Sequence, residues 1–292
     1  MTPVARTDRL RVLPAHATYE GGGFLVHRAF PTPDLPMVDP FLLLDQMGPV
    51  DYAPGEAKGA PDHPHRGFET VTYLLDGAMV HEDSNGNRGE LRPGDVQWMT
   101  AGSGVVHSEM PHPDTLATGG RFHGFQLWVN LPKKDKMMAP RYQDIRSDTI
   151  PEVETGGGKV RVIAGRYGDM EAVIDMRVAI QYLHAIVAPG KAILFRVPKG
   201  HHGFALVALG GGHIGETAAE AHHVVLLPDD IDLALKAGPD GMSVLLISGA
   251  PLREPVARYG PFVMNTTEEI RQAVVDFQAG RMGEIQAEHR KA

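Results

Sequence analysis

The chain has 292 residues, a formal net charge of -8 and no cysteine, and its length is sufficient for two domains of ordinary size. Its 42% hydrophobic and 22% charged residues are typical of a soluble globular protein, and its acidic balance argues against direct binding of nucleic acid. Because the chain has no thiol, it cannot form disulfides or hold iron-sulfur clusters, so a metal ion would be bound by histidine, carboxylate or water.

The N-terminal residues 1–8 lack the apolar segment of a signal peptide. No uninterrupted apolar run in the chain approaches the roughly 20 residues that a membrane helix needs. We therefore expect a cytoplasmic protein with no membrane-spanning segment.

After the N-terminal segment, the chain has two pairs of residues of types that commonly bind metal ions, His63 with His65 and His107 with Glu109. Each pair has the spacing i, i+2, which places both side chains on the same face of a β-strand. The turn signal at residues 85–86, Asn-Gly, predicts a hairpin that returns the second pair beside the first. The spacing therefore predicts a metal site built from strands, in which either Glu109 or the nearby Glu69 is the carboxylate ligand.

Short apolar runs rich in β-branched residues recur along the rest of the chain, separated by glycine and proline turns. They cover residues 70–75, 126–129, 160–164, 180–186, 193–197, 204–209, 224–227 and 244–247. This spacing is typical of an all-β sandwich or barrel.

One segment near the end of the chain has the pattern of a helix. Ile270, Val274 and Phe277 follow a helical spacing, residues 266–269 form a capping box, and Gly280 is suited to the C-terminal cap. The pattern predicts a short C-terminal helix.

The two halves of the chain show signs of an internal repeat. The segment at residues 65–68 is similar to residues 201–204, and residues 91–98 are similar to residues 226–233, at nearly the same offset. The glycine run at residues 156–158 indicates the connection between the halves. We interpret the chain as a duplicated β-barrel.

The repeat offset gives residues of the second half that correspond to the candidate ligands. His63 and His65 correspond to Lys199 and His201. His107 and Glu109 correspond to Met242 and Val244, and Glu69 to Ala205. On this comparison the second barrel has lost its metal ligands.

The chain resembles the pirin family of the cupin superfamily over nearly its whole length. The resemblance rests on residues 63–71, 93–102, 107–110, 126–132, 140–144 and 260–266. It implies an all-β fold of two tandem cupin barrels (double-stranded β-helix, or jelly-roll) with a short C-terminal helix. We expect residues 1–145 to form the metal-binding barrel and residues 146–292 a second barrel without metal ligands.

The resemblance also implies the ligand set His63, His65, His107 and Glu109, and leaves Glu69 as a strand residue beside the site. Three imidazoles and one carboxylate suit mononuclear iron, with Fe²⁺ preferred, and also manganese, nickel or copper. They would leave about two coordination positions for water, dioxygen or substrate. A structural zinc ion with a closed tetrahedral shell is the alternative.

Two functions are implied by the resemblance. The first is a quercetin 2,3-dioxygenase activity, which opens the flavonol ring with dioxygen and releases carbon monoxide, with Glu109 as the catalytic base. The second is an iron-dependent, redox-sensing regulator that binds a transcription factor or a metabolic enzyme. The expected partners are therefore a small aromatic substrate with dioxygen, or a regulatory protein.

Overall fold

A computed structural model describes residues 9–286 of the chain. The expectation about export rests on residues 1–8 and lies outside the described residues, as do the first and last residues of the two predicted domains. Among residues 9–286, no helix is long and apolar enough to span a membrane.

Strands account for most of the regular structure, in agreement with the short β-branched runs in the sequence. In chain order they are β1 (Val12–Pro14), β2 (His16–Glu20), β3 (Phe24–Phe30), β4 (Phe41–Tyr52), β5 (Ala60–His65), β6 (Phe68–Asp76), β7 (Met79–Asp83), β8 (Arg88–Leu91), β9 (Val96–Thr100), β10 (Val105–Pro111), β11 (Gly120–Asn130), β12 (Arg141–Ile145), β13 (Glu152–Thr155), β14 (Gly158–Ala164), β15 (Arg166–Tyr167), β16 (Met170–Glu171), β17 (Ile180–Val187), β18 (Ala192–Val197), β19 (His202–Ile214), β20 (Thr217–Glu220), β21 (His223–Leu227), β22 (Ile231–Gly249), β23 (Ala257–Tyr259) and β24 (Phe262–Met264).

The predicted C-terminal helix is α2, which spans Thr267–Gln278. The side chain of Thr266 accepts a hydrogen bond from the Glu269 backbone N–H at 3.2 Å, and the Glu269 carboxylate accepts one from the Thr266 N–H at 2.9 Å, so the capping box is confirmed. Gly280, with φ +72°, follows the last turn, and its N–H bonds back to Phe277 O at 2.9 Å. A short helix α1 (Pro113–Thr118) was not predicted.

The chain divides into two compact units. Among the described residues, the first barrel comprises Ala17–Arg28, Phe41–Ser147 and residues 252–286, and the second barrel comprises residues 9–16, Ala29–Pro40 and Asp148–Pro251. The all-β architecture of two barrels with a C-terminal helix is confirmed.

The first barrel is built from a seven-stranded sheet of order β12-β9-β6-β11-β4-β3-β2 and a four-stranded sheet of order β5-β10-β7-β8. The central strand β6 is buried along most of its length, which explains its continuous apolar character. The hairpin β23-β24 and helix α2 belong to the same unit, where α2 packs its buried Ile270 and Ala273 against Val106 and Phe262.

The second barrel is formed by a nine-stranded sheet in which β1-β21-β19-β22-β17-β14-β13 are consecutive, with β18 paired to β22 and β20 to β19. Strand β1 pairs with β21, so a segment from the start of the chain completes a barrel formed mainly by its second half.

The interpretation of residues 156–158 as the connection between the halves is wrong. Strands β13 and β14 pair antiparallel, with Thr155 opposite Gly158, so these glycines form the turn of a hairpin inside the second barrel. Gly158 has φ +138°, a conformation that glycine adopts readily, which explains a glycine-rich turn without a domain boundary.

Candidate metal centre

Strand pairing in the four-stranded sheet brings the predicted histidines together. Strands β5 and β10 are antiparallel, with His63 directly opposite His107 and His65 opposite Val105. The ring centroids are 4.7 Å apart for His63 and His65, 4.4 Å for His63 and His107, and 5.0 Å for His65 and His107. One ring nitrogen from each histidine lies within 4.8 Å of the others, as in a metal-binding group. The return of the second pair beside the first is confirmed.

Burial makes two of these imidazoles suited to metal binding. His65 and His107 are 2% and 1% exposed. Burial is the largest cause that holds the pKa of each imidazole well below its usual value, and the repulsion that a charged His63 would exert is the second. Both rings are therefore neutral at neutral pH, which is the form that binds metal ions.

The hydrogen bonds of the ring nitrogens indicate which nitrogen of each histidine faces the candidate metal site. His63 Nδ1 lies 2.7 Å from Pro61 O, and His65 Nδ1 lies 3.4 Å from Pro261 O. An Nδ1–H donated to a carbonyl fixes the tautomer and leaves Nε2 as the ligand atom. Both ring nitrogens of His107 are buried without a hydrogen-bond partner, which a metal ion at one of them would explain. The donor set fits a transition metal ion.

The two candidate carboxylates occupy different surroundings. Glu109 lines the same cavity as His63 and His65, and it accepts hydrogen bonds from Thr72 Oγ1 at 3.0 Å and from Gln126 Nε2 at 3.4 Å. Glu69 is fully buried on β6, where Thr100 Oγ1 donates to its carboxylate at 2.6 Å. Within residues 9–286, the compact group of ligand atoms consists of the three histidines, with Glu109 next to it on β10.

A cavity of about 580 Å³ is lined by His63 and His65. This volume lies within the range of small-molecule sites, roughly 300–1,000 Å³. Its apolar wall is provided by buried residues of strands β3, β4 and β7, namely Val26, Leu43, Met47 and Met79. The cavity therefore offers space for an organic molecule beside the candidate metal ligands.

Charged side chains line another part of this cavity, and the sequence analysis did not find them. Arg28 contacts Glu20 at 2.6 Å and Asp45 at 2.6 and 2.9 Å, and Arg258 lies 4.8 Å from the centre of the Trp128 ring. These residues come from separate parts of the sequence, and no motif links them. Only the tertiary fold brings them to the cavity.

Arg66, next to His65, joins β5 to the C-terminal helix. Its guanidinium donates to Ser103 O at 2.6 Å and to the Asp276 carboxylate at 2.6 Å. The backbone of Arg66 also bridges to Phe262. The segment that carries His65 is thereby held by the C-terminal part of the first barrel.

The residues that the repeat offset assigned to the second barrel are not paired as the candidate ligands are. Lys199 and His201 lie between β18 and β19, and Met242 and Val244 lie on β22 opposite β17, whereas His63 lies opposite His107. On the strand pair β18-β22, Phe195, Val197, Leu233 and Leu235 are apolar members of the core of the second barrel.

Comparison with known proteins agrees with this architecture. The family model Pirin matches residues 23–129, and the model of the Pirin C-terminal cupin domain matches residues 182–283. The chain belongs to the pirin family. Human Pirin is 42% identical over 270 residues, covering 90% of this chain and 90% of that protein.

Solved structures extend the comparison. A quercetin 2,3-dioxygenase from Acinetobacter baumannii is 37% identical with a TM-score of 0.89, covering 95% of this pirin and 99% of that chain. A bacterial pirin from Escherichia coli in complex with nickel(II) is 19% identical with a TM-score of 0.65, covering 83% and 99% of the two chains, and shows similarity of fold. The resemblance to pirins and the fold of two cupin domains are confirmed.

Proposed function

We propose that the first barrel binds one transition metal ion, preferably Fe²⁺, and cleaves flavonol-type substrates with dioxygen in the manner of a quercetin 2,3-dioxygenase. The observation that carries the proposal is a cluster of three imidazoles, two of which line a cavity large enough for such a substrate. The similarity of this chain to a quercetin 2,3-dioxygenase over nearly its whole length supports it. The expected cytoplasmic location belongs to the same proposal.

In this proposal His63, His65, His107 and Glu109 are the metal ligands. When bound, the metal ion would supply Lewis-acid activation of the substrate hydroxyl and redox chemistry with dioxygen. Glu109 is preferred over Glu69 because its carboxylate lines the cavity, whereas Glu69 is buried in the sheet and hydrogen-bonded to Thr100.

The catalytic role of Glu109 follows from its position. A flavonol that enters the cavity presents its 3-hydroxyl to the histidines, and a Glu109 oxygen takes the hydroxyl proton. Thr72 Oγ1 lies 3.0 Å from one carboxylate oxygen and 2.7 Å from Gln126 Oε1, and Gln126 Nε2 donates to the other carboxylate oxygen at 3.4 Å. These contacts keep the carboxylate oriented toward the cavity. The apolar wall of the cavity excludes water from the ring that is opened.

The test begins with metal analysis of protein purified without oxygen. Dioxygen uptake and carbon monoxide release are then measured with quercetin. We expect one metal ion per chain and stoichiometric carbon monoxide. Substitution His107→Ala should abolish metal binding, whereas His213→Ala, at an exposed position of the second barrel, should retain it.

The base is tested separately with Glu109→Gln. We expect this variant to retain part of its metal while its turnover falls by about 10²- to 10⁴-fold, the usual contribution of a general base. A Glu109→Gln protein as active as the wild type would exclude this role.

The regulatory alternative predicts a different result in the same preparations. A redox-sensing regulator would bind the metal at these ligands, turn over quercetin very slowly, and retain a partner protein in only one oxidation state of the metal. Turnover at ordinary enzyme rates, with a kcat on the order of 1–10³ per second, would favour the dioxygenase.

A further inference from the structure

The mouth of the metal-site cavity carries two arginines that differ in their partners. Arg28 is engaged by two carboxylates, Glu20 at 2.6 Å and Asp45 through both of its oxygens. This bidentate pair and the contact to Glu20 involve Nε and Nη2, so only the N–H groups of Nη1 remain on Arg28 for a ligand. Its charge is balanced within the protein.

Arg258, on β23, lines the same cavity without such a partner. Its guanidinium donates to Leu42 O at 3.2 Å, and no carboxylate of the described residues lies within the 4.0 Å of an ion pair. A guanidinium has five N–H donors, so most of those of Arg258 remain for a ligand. The side chain is accessible to solvent at the cavity mouth.

Trp128 holds this guanidinium in a defined place. Arg258 lies over one face of the indole, 4.8 Å from the ring centre, and Phe68 packs 4.3 Å from the same ring. Trp128 also contacts His65, with ring centroids 5.1 Å apart. Arg258 and the candidate metal ligand His65 therefore contact the same indole ring.

We propose that Arg258 determines substrate specificity by binding an anionic group of the substrate at the cavity mouth. The preferred substrates are hydroxylated aromatic compounds whose hydroxyl reaches the histidines and whose carboxylate, on the far side of the molecule, pairs with Arg258. The apolar wall between the two ends contacts the rings. The inference rests on the proposed function, since it assigns the substrate class of that site.

The choice of a carboxylate follows from the chemistry of the residue. A planar guanidinium matches a carboxylate through two parallel N–H···O bonds, and stacking on Trp128 orients its plane for this contact. Because Arg258 is accessible to solvent, the expected gain lies at the lower end for a charge-assisted hydrogen bond, about tenfold in affinity.

The test compares three ligands in anaerobic, iron-loaded protein by calorimetry: 3-hydroxyflavone, its 4′-carboxylic acid, and the methyl ester of that acid. The wild type should bind the acid about tenfold more tightly than the ester. In Arg258→Met the preference should disappear while the affinity for the ester is unchanged, and Arg258→Lys should retain part of it. Arg271→Met, which removes an exposed arginine of α2 outside this cavity, should behave as the wild type.

Metal content and near-ultraviolet circular dichroism of Arg258→Met establish that the variant is folded. Equal affinities of the wild type for acid and ester, or a preference that survives in Arg258→Met, would overturn the assignment.

Dioxygen uptake by the same samples in air separates this inference from the proposed function. If the acid binds in an Arg258-dependent manner but no dioxygen is consumed, the dioxygenase proposal fails and the anion site stands. If the three compounds are cleaved alike by the wild type and by Arg258→Met, the anion site fails and the dioxygenase proposal stands.

Discussion

The ion pair between Arg66 and Asp276 connects helix α2 to the strand segment that carries His65. The substitution Asp276→Asn tests how much this ion pair stabilises the first barrel. The two side chains are only 6% and 13% exposed, and their closest N···O distance is 2.6 Å. The same carboxylate also accepts hydrogen bonds from Gln272 at 2.7 Å and Arg281 at 2.8 Å. The substitution removes the charge but retains the size of the side chain.

The expected cost follows from the burial of the pair. Removing one partner of a buried ion pair typically costs about 3–5 kcal/mol, because the other charge is left without compensation. Asparagine retains one acceptor oxygen, so we expect the substitution to lower the free energy of opening of α2 by about 2–3 kcal/mol. This corresponds to amide hydrogen exchange that is about 30- to 140-fold faster in the helix.

The pH dependence provides a second measurement. The hydrogen bond from Arg66 is the largest cause that lowers the pKa of Asp276, to about 2. Because the pKa is lower in the folded state than the roughly 3.9 of an unperturbed aspartate, the stabilisation is complete above that value and is lost as the pH falls toward 2. The difference between wild type and Asp276→Asn should therefore be constant from about pH 5 to 8 and shrink below about pH 4.

Hydrogen exchange of the amides in Thr267–Gln278 is the assay, with Arg271→Gln as the control. Arg271 pairs with Glu268 at the surface, where both side chains are more than 70% exposed, so its loss should change exchange by less than about fivefold. Exchange in Asp276→Asn that matches this control at pH 7 would refute the reasoning.

Three further predictions concern the site and its supports. Thr72→Val removes the donor to Glu109 Oε1 and should lower turnover by about tenfold with metal content unchanged, as measured by steady-state kinetics and metal analysis. Burial lowers the pKa of Lys136 to about 8, so the wild type should gain stability relative to Lys136→Met as the pH rises from 8 to 10, measured by urea unfolding. Gly67→Ala, at φ +88° with a Cβ that would collide with a backbone carbonyl, should cost about 3 kcal/mol, whereas Gly86→Ala, at φ +83° in open space, should cost about 1 kcal/mol in the same assay.

The local patterns in the sequence predicted much of the secondary structure. The capping box at Thr266 and the turn at residues 85–86 succeeded because each depends on contacts within a few residues. The prediction that the two ligand pairs lie side by side is confirmed for a related reason, because the hairpin between them returns the chain to the same sheet, where His63 lies opposite His107.

Contacts distant in sequence could not be predicted in this way. The Arg66–Asp276 pair joins residues 210 positions apart, and the salt bridge of Arg28 with Asp45 is neither a motif nor a periodic pattern. The pairing of β1 with β21 likewise depends on the tertiary arrangement of the second barrel.

The strand pair β18-β22 gives a physical reason for the apolar interior of the second barrel. Its residues Phe195, Val197, Leu233 and Leu235 belong to the core of that barrel, and each is at most 4% exposed. Apolar side chains at these positions stabilise the barrel by burial, on the order of 1.5–3 kcal/mol each. The imidazoles of His63, His65 and His107 in the first barrel lack that contribution, and burial of these polar rings costs desolvation free energy. Three clustered histidines are therefore expected only where ligand binding compensates for this cost.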